Sequence, residues 1–169
     1  MSLDTLQLPA LLHCAIFSQK LVYPDNGDLP ELLSKKPVID FLGGNQKKIT
    51  ILFDSTEQKF LSDSDLSFLT LLLSACGLTL ADVAVTNIRQ DIRLNYYLML
   101  EELQCRNLIG FGITPDNIDL PFTIPFYQLQ AYEKTKYIFC PSVQELQASS
   151  IDKKKLWSAL QKMFNISVK

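Results

Sequence analysis

The sequence predicts an α/β fold of three layers, in which helices cover both faces of a central, mostly parallel sheet of about four strands. From Ile49 to Phe164, short apolar and β-branched runs alternate with longer segments of helical character. Such alternation is typical of parallel strands joined by crossover helices. The 169 residues, of which 47% are hydrophobic, suit a single domain with its own core. We expect this α/β domain over residues 45–169, after a partly helical N-terminal extension over residues 1–44.

The extension has weak patterning. Ala10–Val22 is compatible with a helix that begins just after Pro9, a residue favoured in a first helical turn. The turn-rich cluster Tyr23–Asp28 ends that helix. Two interpretations stay open for the apolar side chains of this segment: they pack on their own domain, or they dock on a partner protein. The candidate partner-binding residues are Leu8, Leu11, Leu12 and Phe17.

Four short runs rich in β-branched and apolar residues predict the strands of the sheet. A fifth run, Phe122–Phe126, is also extended in character but contains Pro125, which favours an edge piece or a loop. The four predicted strands are Ile49–Phe53, Val83–Thr86, Leu108–Gly112 and Tyr137–Cys140.

Capping residues and apolar spacing predict the helices between these strands. Ser62 and Asp65 stand at capping-box spacing before an apolar helical face, and Gly77 is a suitable residue to end that helix. A second helix is expected from about Leu94 to Cys105. The last helix is expected over Asp152–Phe164, capped by Ser150 or Asp152.

Composition excludes several classes of function. Sixteen basic against eighteen acidic residues give a net charge of −2, which disfavours tight stand-alone binding of nucleic acid. The four cysteines show no C-x₂₋₄-C spacing and the only histidine is His13, so we expect neither a zinc site nor a Ser-His-Asp triad, and no cofactor. No apolar run is long enough to span a membrane and the first residues do not resemble a secretion signal, so we expect a cytoplasmic protein without membrane contact.

Polar residues that follow the predicted strands are the candidates for chemistry, because function in parallel sheets concentrates at the carboxyl ends of the strands. Asp54 and Glu57 follow the first strand and could form a carboxylate pair, although a solvated turn is the commoner arrangement. Asn87 ends the second strand, where an asparagine more often closes a turn than takes part in catalysis.

The order of four segments resembles the uracil-DNA glycosylase superfamily. These segments are ACGLTLADVAVTN (Ala75–Asn87), LEELQCRNLIGFG (Leu100–Gly112), YIFCPSVQEL (Tyr137–Leu146) and KKKLWSALQKMF (Lys153–Phe164). The resemblance covers about Ile49–Phe164 and implies a glycosylase-like α/β fold. If activity were kept, it would imply roles for Asp54, Glu57, Asn87, Cys140 and Ser142.

Departures from the glycosylase pattern indicate that catalysis is lost. The family's histidine, which stabilises the departing uracil anion, corresponds to Cys140 in Cys140-Pro141-Ser142, and a thiol is only a weak donor. The loop that supplies the water-activating acid is shortened to Asp54–Lys59. Loss of the electrostatic stabiliser typically raises the barrier by several kcal/mol.

Among non-catalytic relatives of that fold, the chain resembles the psi subunits of bacterial DNA polymerase III. This resemblance implies a protein partner of the clamp-loader type, bound through the N-terminal extension. It is also compatible with a weak DNA contact through the loop Cys140–Ser149 and the basic run Lys153–Lys155. The alternative is a glycosylase that acts on deaminated bases such as uracil.

Overall fold

The computed structural model describes residues 39–55, 61–89 and 94–166, which all belong to the compact unit Pro37–Lys169. In these residues six strands are interspersed with four α-helices along the chain. The strands are β1 (Leu42–Gly43), β2 (Ile49–Phe53), β3 (Val83–Asn87), β4 (Asn107–Phe111), β5 (Gln130–Tyr132) and β6 (Thr135–Cys140). The α-helices are α1 (Asp63–Ala75), α2 (Tyr96–Glu102), α3 (Val143–Ala148) and α4 (Ser150–Phe164).

The strands form one sheet in the order β1-β3-β2-β4-β6-β5. The four inner strands β3, β2, β4 and β6 are parallel, which confirms the predicted α/β class and its parallel centre. The two outer strands, β1 and β5, are antiparallel to their neighbours and raise the total from about four to six. They were not predicted because two and three residues are too short to show an alternating pattern.

Both faces of the sheet are covered, as predicted for a three-layer arrangement. On one face, Ile51 and Ile138 belong to a buried cluster with residues of α1, α3 and α4. On the other face, Leu52 and Phe139 belong to a second cluster with residues of α2 and of the segment from Ile113 to Ile124. Successive residues of a strand point to opposite faces, so the fully buried run of β2 contributes to both cores.

The ends of α1 follow the sequence signals. The Ser62 hydroxyl accepts a hydrogen bond from the backbone N–H of Asp65, and Gly77 takes the left-handed conformation just beyond the helix, at φ +68°. The predicted second helix is shorter than expected, because Asn95 caps α2 and the helix ends at Glu102. The predicted loop or edge piece around Pro125 is a loop.

Two features near the C-terminus differ from the prediction. Helix α4 begins at Ser150 and its cap is Ser149, whose hydroxyl accepts from the N–H of Asp152, rather than Ser150 or Asp152. The short helix α3, which begins directly after Ser142, was not predicted. The predicted helix over Ala10–Val22 lies outside the described residues.

Candidate functional site

A cavity of about 160 Å³ lies at the carboxyl ends of the parallel strands. Its lining includes Phe53 and Asp54 at the end of β2, Phe111 at the end of β4, Asp65 of α1 and Gln144 of α3. A cavity of roughly 150 Å³ accommodates a benzene molecule. The site is therefore large enough for one six-membered ring, and it lies where the sequence placed the candidate residues.

Asp54 lies at this site in an ion pair with Arg89. The Arg89 Nη2 donates to Asp54 Oδ2 at 3.0 Å, and Nε donates to the other carboxylate oxygen. The hydrogen bonds and the negative charge of Asp54 raise the pKa of Arg89 further above its already high value. The guanidinium occupies both oxygens of the carboxylate, so Asp54 is poorly placed to activate a water molecule. No local sequence pattern indicated a pair between Arg89 and Asp54, because the two residues lie 35 positions apart along the chain.

Asn87 fixes the position of Ser55, the residue after Asp54, through hydrogen bonds. Its side chain is 3% exposed. Its amide nitrogen donates to the carbonyl of Ser55 at 2.8 Å, and its amide oxygen accepts from the backbone N–H of Ser55 at 3.3 Å and of Arg89 at 3.1 Å. Asn87 thus links the segments that follow β2 and β3. These hydrogen bonds stabilise the turns at the ends of the two strands.

Cys140 is part of the core. It has no exposed surface, and its thiol donates to the carbonyl of Gly110 on the neighbouring strand at 3.1 Å. Burial raises the pKa of this thiol far above its ordinary value, so Cys140 stays protonated at neutral pH. Neither the thiolate nor the S–H group is available to a molecule in the cavity.

Ser142 lines the cavity and caps a helix. Its hydroxyl accepts from the backbone N–H of Glu145 at 3.3 Å, which fixes the start of α3. Glu57, the remaining candidate for chemistry, lies outside the described residues. So do the candidate partner-binding residues Leu8, Leu11, Leu12 and Phe17.

A buried carboxylate in the cavity lining was not recognised from the sequence. Asp65 is 5% exposed and accepts from the side-chain amides of Gln144 at 2.7 Å and Gln147 at 3.0 Å. The spacing of Ser62 and Asp65 predicted only a capping contact, and the backbone N–H of Asp65 does donate to the Ser62 hydroxyl. The Asp65 carboxylate also joins α1 to α3. Its partners lie about 80 residues further along the chain, so local spacing in the sequence could not indicate them.

The basic run at the start of α4 is partly engaged within the domain. The Lys153 ammonium donates to the carbonyl of Gln147 at 2.8 Å, and the Lys155 ammonium lies 3.1 Å from the Asp152 carboxylate. Lys154 is exposed. Two of the three lysines proposed for DNA contact therefore have internal partners.

The described part of the chain contains no group of three or more His, Cys, Asp and Glu side chains that could hold a metal ion. No helix in the same residues has the length and hydropathy to cross a bilayer. Comparison of the chain with protein-family models and with curated proteins found no match.

Proposed function

We propose that the chain is a non-catalytic interaction protein of the DNA replication machinery, similar to the psi subunit of bacterial DNA polymerase III, and that it acts in the cytoplasm. The observation that carries this proposal is the state of Cys140. The residue at the glycosylase histidine position is a fully buried thiol bonded to the Gly110 carbonyl. A glycosylase needs a donor that faces the base there, and this side chain faces the core.

The charges around the cavity also support a non-catalytic role. Asp65 lines the cavity, and the exposed carboxylates of Asp63 and Glu145 lie in the first turns of the two helices that border it. A phosphate chain close to these groups would be repelled. The positive charge of Arg89 is already paired with Asp54.

The proposed partner is a protein of the clamp-loader type. The contact is assigned to Leu8, Leu11, Leu12 and Phe17 because of their apolar character, their spacing and the psi resemblance. A weak DNA contact through the loop Cys140–Ser149 and the run Lys153–Lys155 would depend mainly on Lys154, the lysine of that run that has no internal partner among the described residues.

The proposal is tested by assembly with a reconstituted bacterial clamp loader and the chi subunit, followed by size-exclusion chromatography with light scattering. We expect the full chain to co-elute with this complex. The variant L11S/L12S/F17S should not co-elute, while its melting temperature stays close to that of the wild type. Leu71→Ser is the matched control, because Leu71 is 71% exposed on the described domain.

Two outcomes contradict this assignment. Failure of the wild-type chain to co-elute with the clamp loader and the chi subunit would exclude the psi-like role. A triple variant that melts early would show that the N-terminal residues are part of a core, since burying such side chains stabilises a fold by about 2–5 kcal/mol each.

The size of the cavity favours one alternative, a glycosylase that accepts a single base. Incubation with oligonucleotides that contain uracil, hypoxanthine or xanthine, followed by alkali, tests it. We expect no strand scission. Scission that is lost in Asp54→Asn would establish the alternative and overturn the non-catalytic proposal.

A further inference from the structure

A second depression lies at the opposite end of the sheet, where the parallel strands begin. It is a groove of about 630 Å³ that is lined by residues of three neighbouring segments. Leu100 comes from α2, Cys105 and Arg106 come from the segment between α2 and β4, and Glu133 and Lys134 form the turn between β5 and β6. The volume is within the range of about 300–1,000 Å³ that is usual for ligand sites.

The base of the groove is apolar. Leu100 is half-buried and packs against the core cluster that includes Cys105. Burial raises the pKa of the Cys105 thiol to about 11, so this side chain is uncharged at neutral pH. The groove therefore offers a surface suited to an aliphatic or aromatic side chain.

Two positively charged side chains line the groove beside this apolar surface. Arg106 and Lys134 are exposed, and neither side chain makes a hydrogen bond or ion pair with another residue of the described ranges. The backbone N–H of Arg106 donates to the carbonyl of Lys48, a third basic residue, which directly precedes the adjacent strand β2. The charge on these residues is not neutralised within the described domain.

We propose that this groove binds a short acidic segment of a protein partner, with one apolar side chain seated against Leu100 and Cys105. Carboxylates of the segment pair with Arg106 and Lys134. Arg106 suits this role because a guanidinium bonds a carboxylate through two parallel N–H groups. The proposal depends only on the groove and holds whether or not the chain is psi-like.

The acids near the groove favour a peptide over a nucleic acid. Glu133 lines the groove, and Glu101 and Glu102 lie in the last turn of α2, directly before it. A nucleic acid strand carries a negative charge at every phosphate. The glutamates would therefore repel it where it extends beyond the two cations. A peptide with two carboxylates pairs with Arg106 and Lys134, and its other residues, being uncharged, are not repelled by Glu133 in the lining.

The test begins with a phage-displayed library of random peptides, selected on the full chain alone, and compares the selected peptides on the double variant R106Q/K134Q. We expect the enriched peptides to share two or more carboxylates and an apolar residue. A fluorescein-labelled copy of the most enriched peptide is then titrated by anisotropy. The double variant should bind it about tenfold more weakly or worse, with a slower association rate and a weaker dependence on salt, as for loss of exposed interface charges. Lys162→Gln, which removes one exposed charge from the last turn of α4, should leave affinity unchanged.

The apolar half of the groove is tested by Leu100→Ser, with Leu71→Ser as its matched control. Leu100→Ser should weaken peptide binding several-fold while its thermal unfolding still shows a folded chain, and the control should bind as the wild type does. A selection that enriches no acidic peptides, or peptides that bind the double variant as well as the wild type, would overturn the proposal. So would a short oligothymidylate that binds more tightly than the peptide and loses affinity in the same double variant.

Discussion

Cys140 occupies a position with no room for a larger polar side chain. It is fully buried among residues of α3 and α4, and its thiol donates to the carbonyl of Gly110 on the neighbouring strand. In a close-packed core, extra volume forces side chains and backbone to move. Cys140, which the proposed glycosylase resemblance aligns with the catalytic histidine, therefore contributes to the core of this chain.

We predict that Cys140→His lowers the free energy of unfolding by about 1–3 kcal/mol, the usual cost of overpacking a core. Urea unfolding followed by circular dichroism measures it. Cys140→Ala is the control, and it should cost less because it adds no volume. A histidine variant that is as stable as the wild type and excises uracil would show that the side chain faces the cavity.

At the scale of single elements, α1 and α3 are joined by a polar contact beside the cavity. The Asp65 carboxylate is buried and accepts from the amides of Gln144 and Gln147. Hydrogen bonds to a charged group contribute more than neutral ones, and the amides lose their acceptor if the carboxylate is removed. The short helix α3 therefore depends on α1 for its position.

We predict that Asp65→Ala lowers the free energy of unfolding by roughly 1.5–3 kcal/mol, the range for hydrogen bonds to charged groups. Asp63→Ala is the matched control, because Asp63 is an exposed carboxylate in the same helical turn. It should change stability by no more than about 0.5 kcal/mol. Equal effects of the two substitutions, measured in urea, would mean that the contact with α3 contributes nothing.

These elements also show what the sequence could predict. The parallel strands and α1 were found because a β-branched run or a capping serine acts through neighbours in the chain. Strands β1 and β5 and helix α3 were missed because each is too short to show a period. At the site, Asp54 and Asn87 were found from their place after a strand. Arg89 and the partners of Asp65 were missed because only the folded chain brings them near.

For the whole molecule, two carboxylates connect stability to pH. Hydrogen bonds from Thr79 and Lys47 hold the pKa of Asp82 below its ordinary value, and those from Ser149 and Lys155 do the same for Asp152. A pKa that is lower in the folded than in the unfolded chain means that protons bind the unfolded chain more readily. The stabilisation is complete above the unfolded-state pKa, near pH 4, and is lost as the pH falls through the lower folded-state value.

We predict that the urea midpoint of unfolding falls as the pH is lowered from about 5 towards 2. The midpoint of the Asp82→Asn variant should fall less steeply over the same range. The asparagine keeps an acceptor for Thr79 but has no charge to lose. Asp116→Asn, at an exposed position, is the control and should follow the wild type. Parallel curves for the wild type and Asp82→Asn would show that Asp82 does not contribute to the acid sensitivity.

The two short outer strands of the sheet also bear on aggregation. The run of β2, ITILF, has the β-branched, uncharged and proline-free character of segments that stack into amyloid when exposed. In the described sheet it is paired on both sides, and the outermost strands offer only two and three residues as a template for another chain. One of the two residues of β1 is Gly43, which has φ +113°. An added Cβ at this position would lie 2.3 Å from the carbonyl oxygen of Val83. A side chain at Gly43 would disturb the pairing of β1 with β3 and leave β3 as a longer edge that another chain could extend.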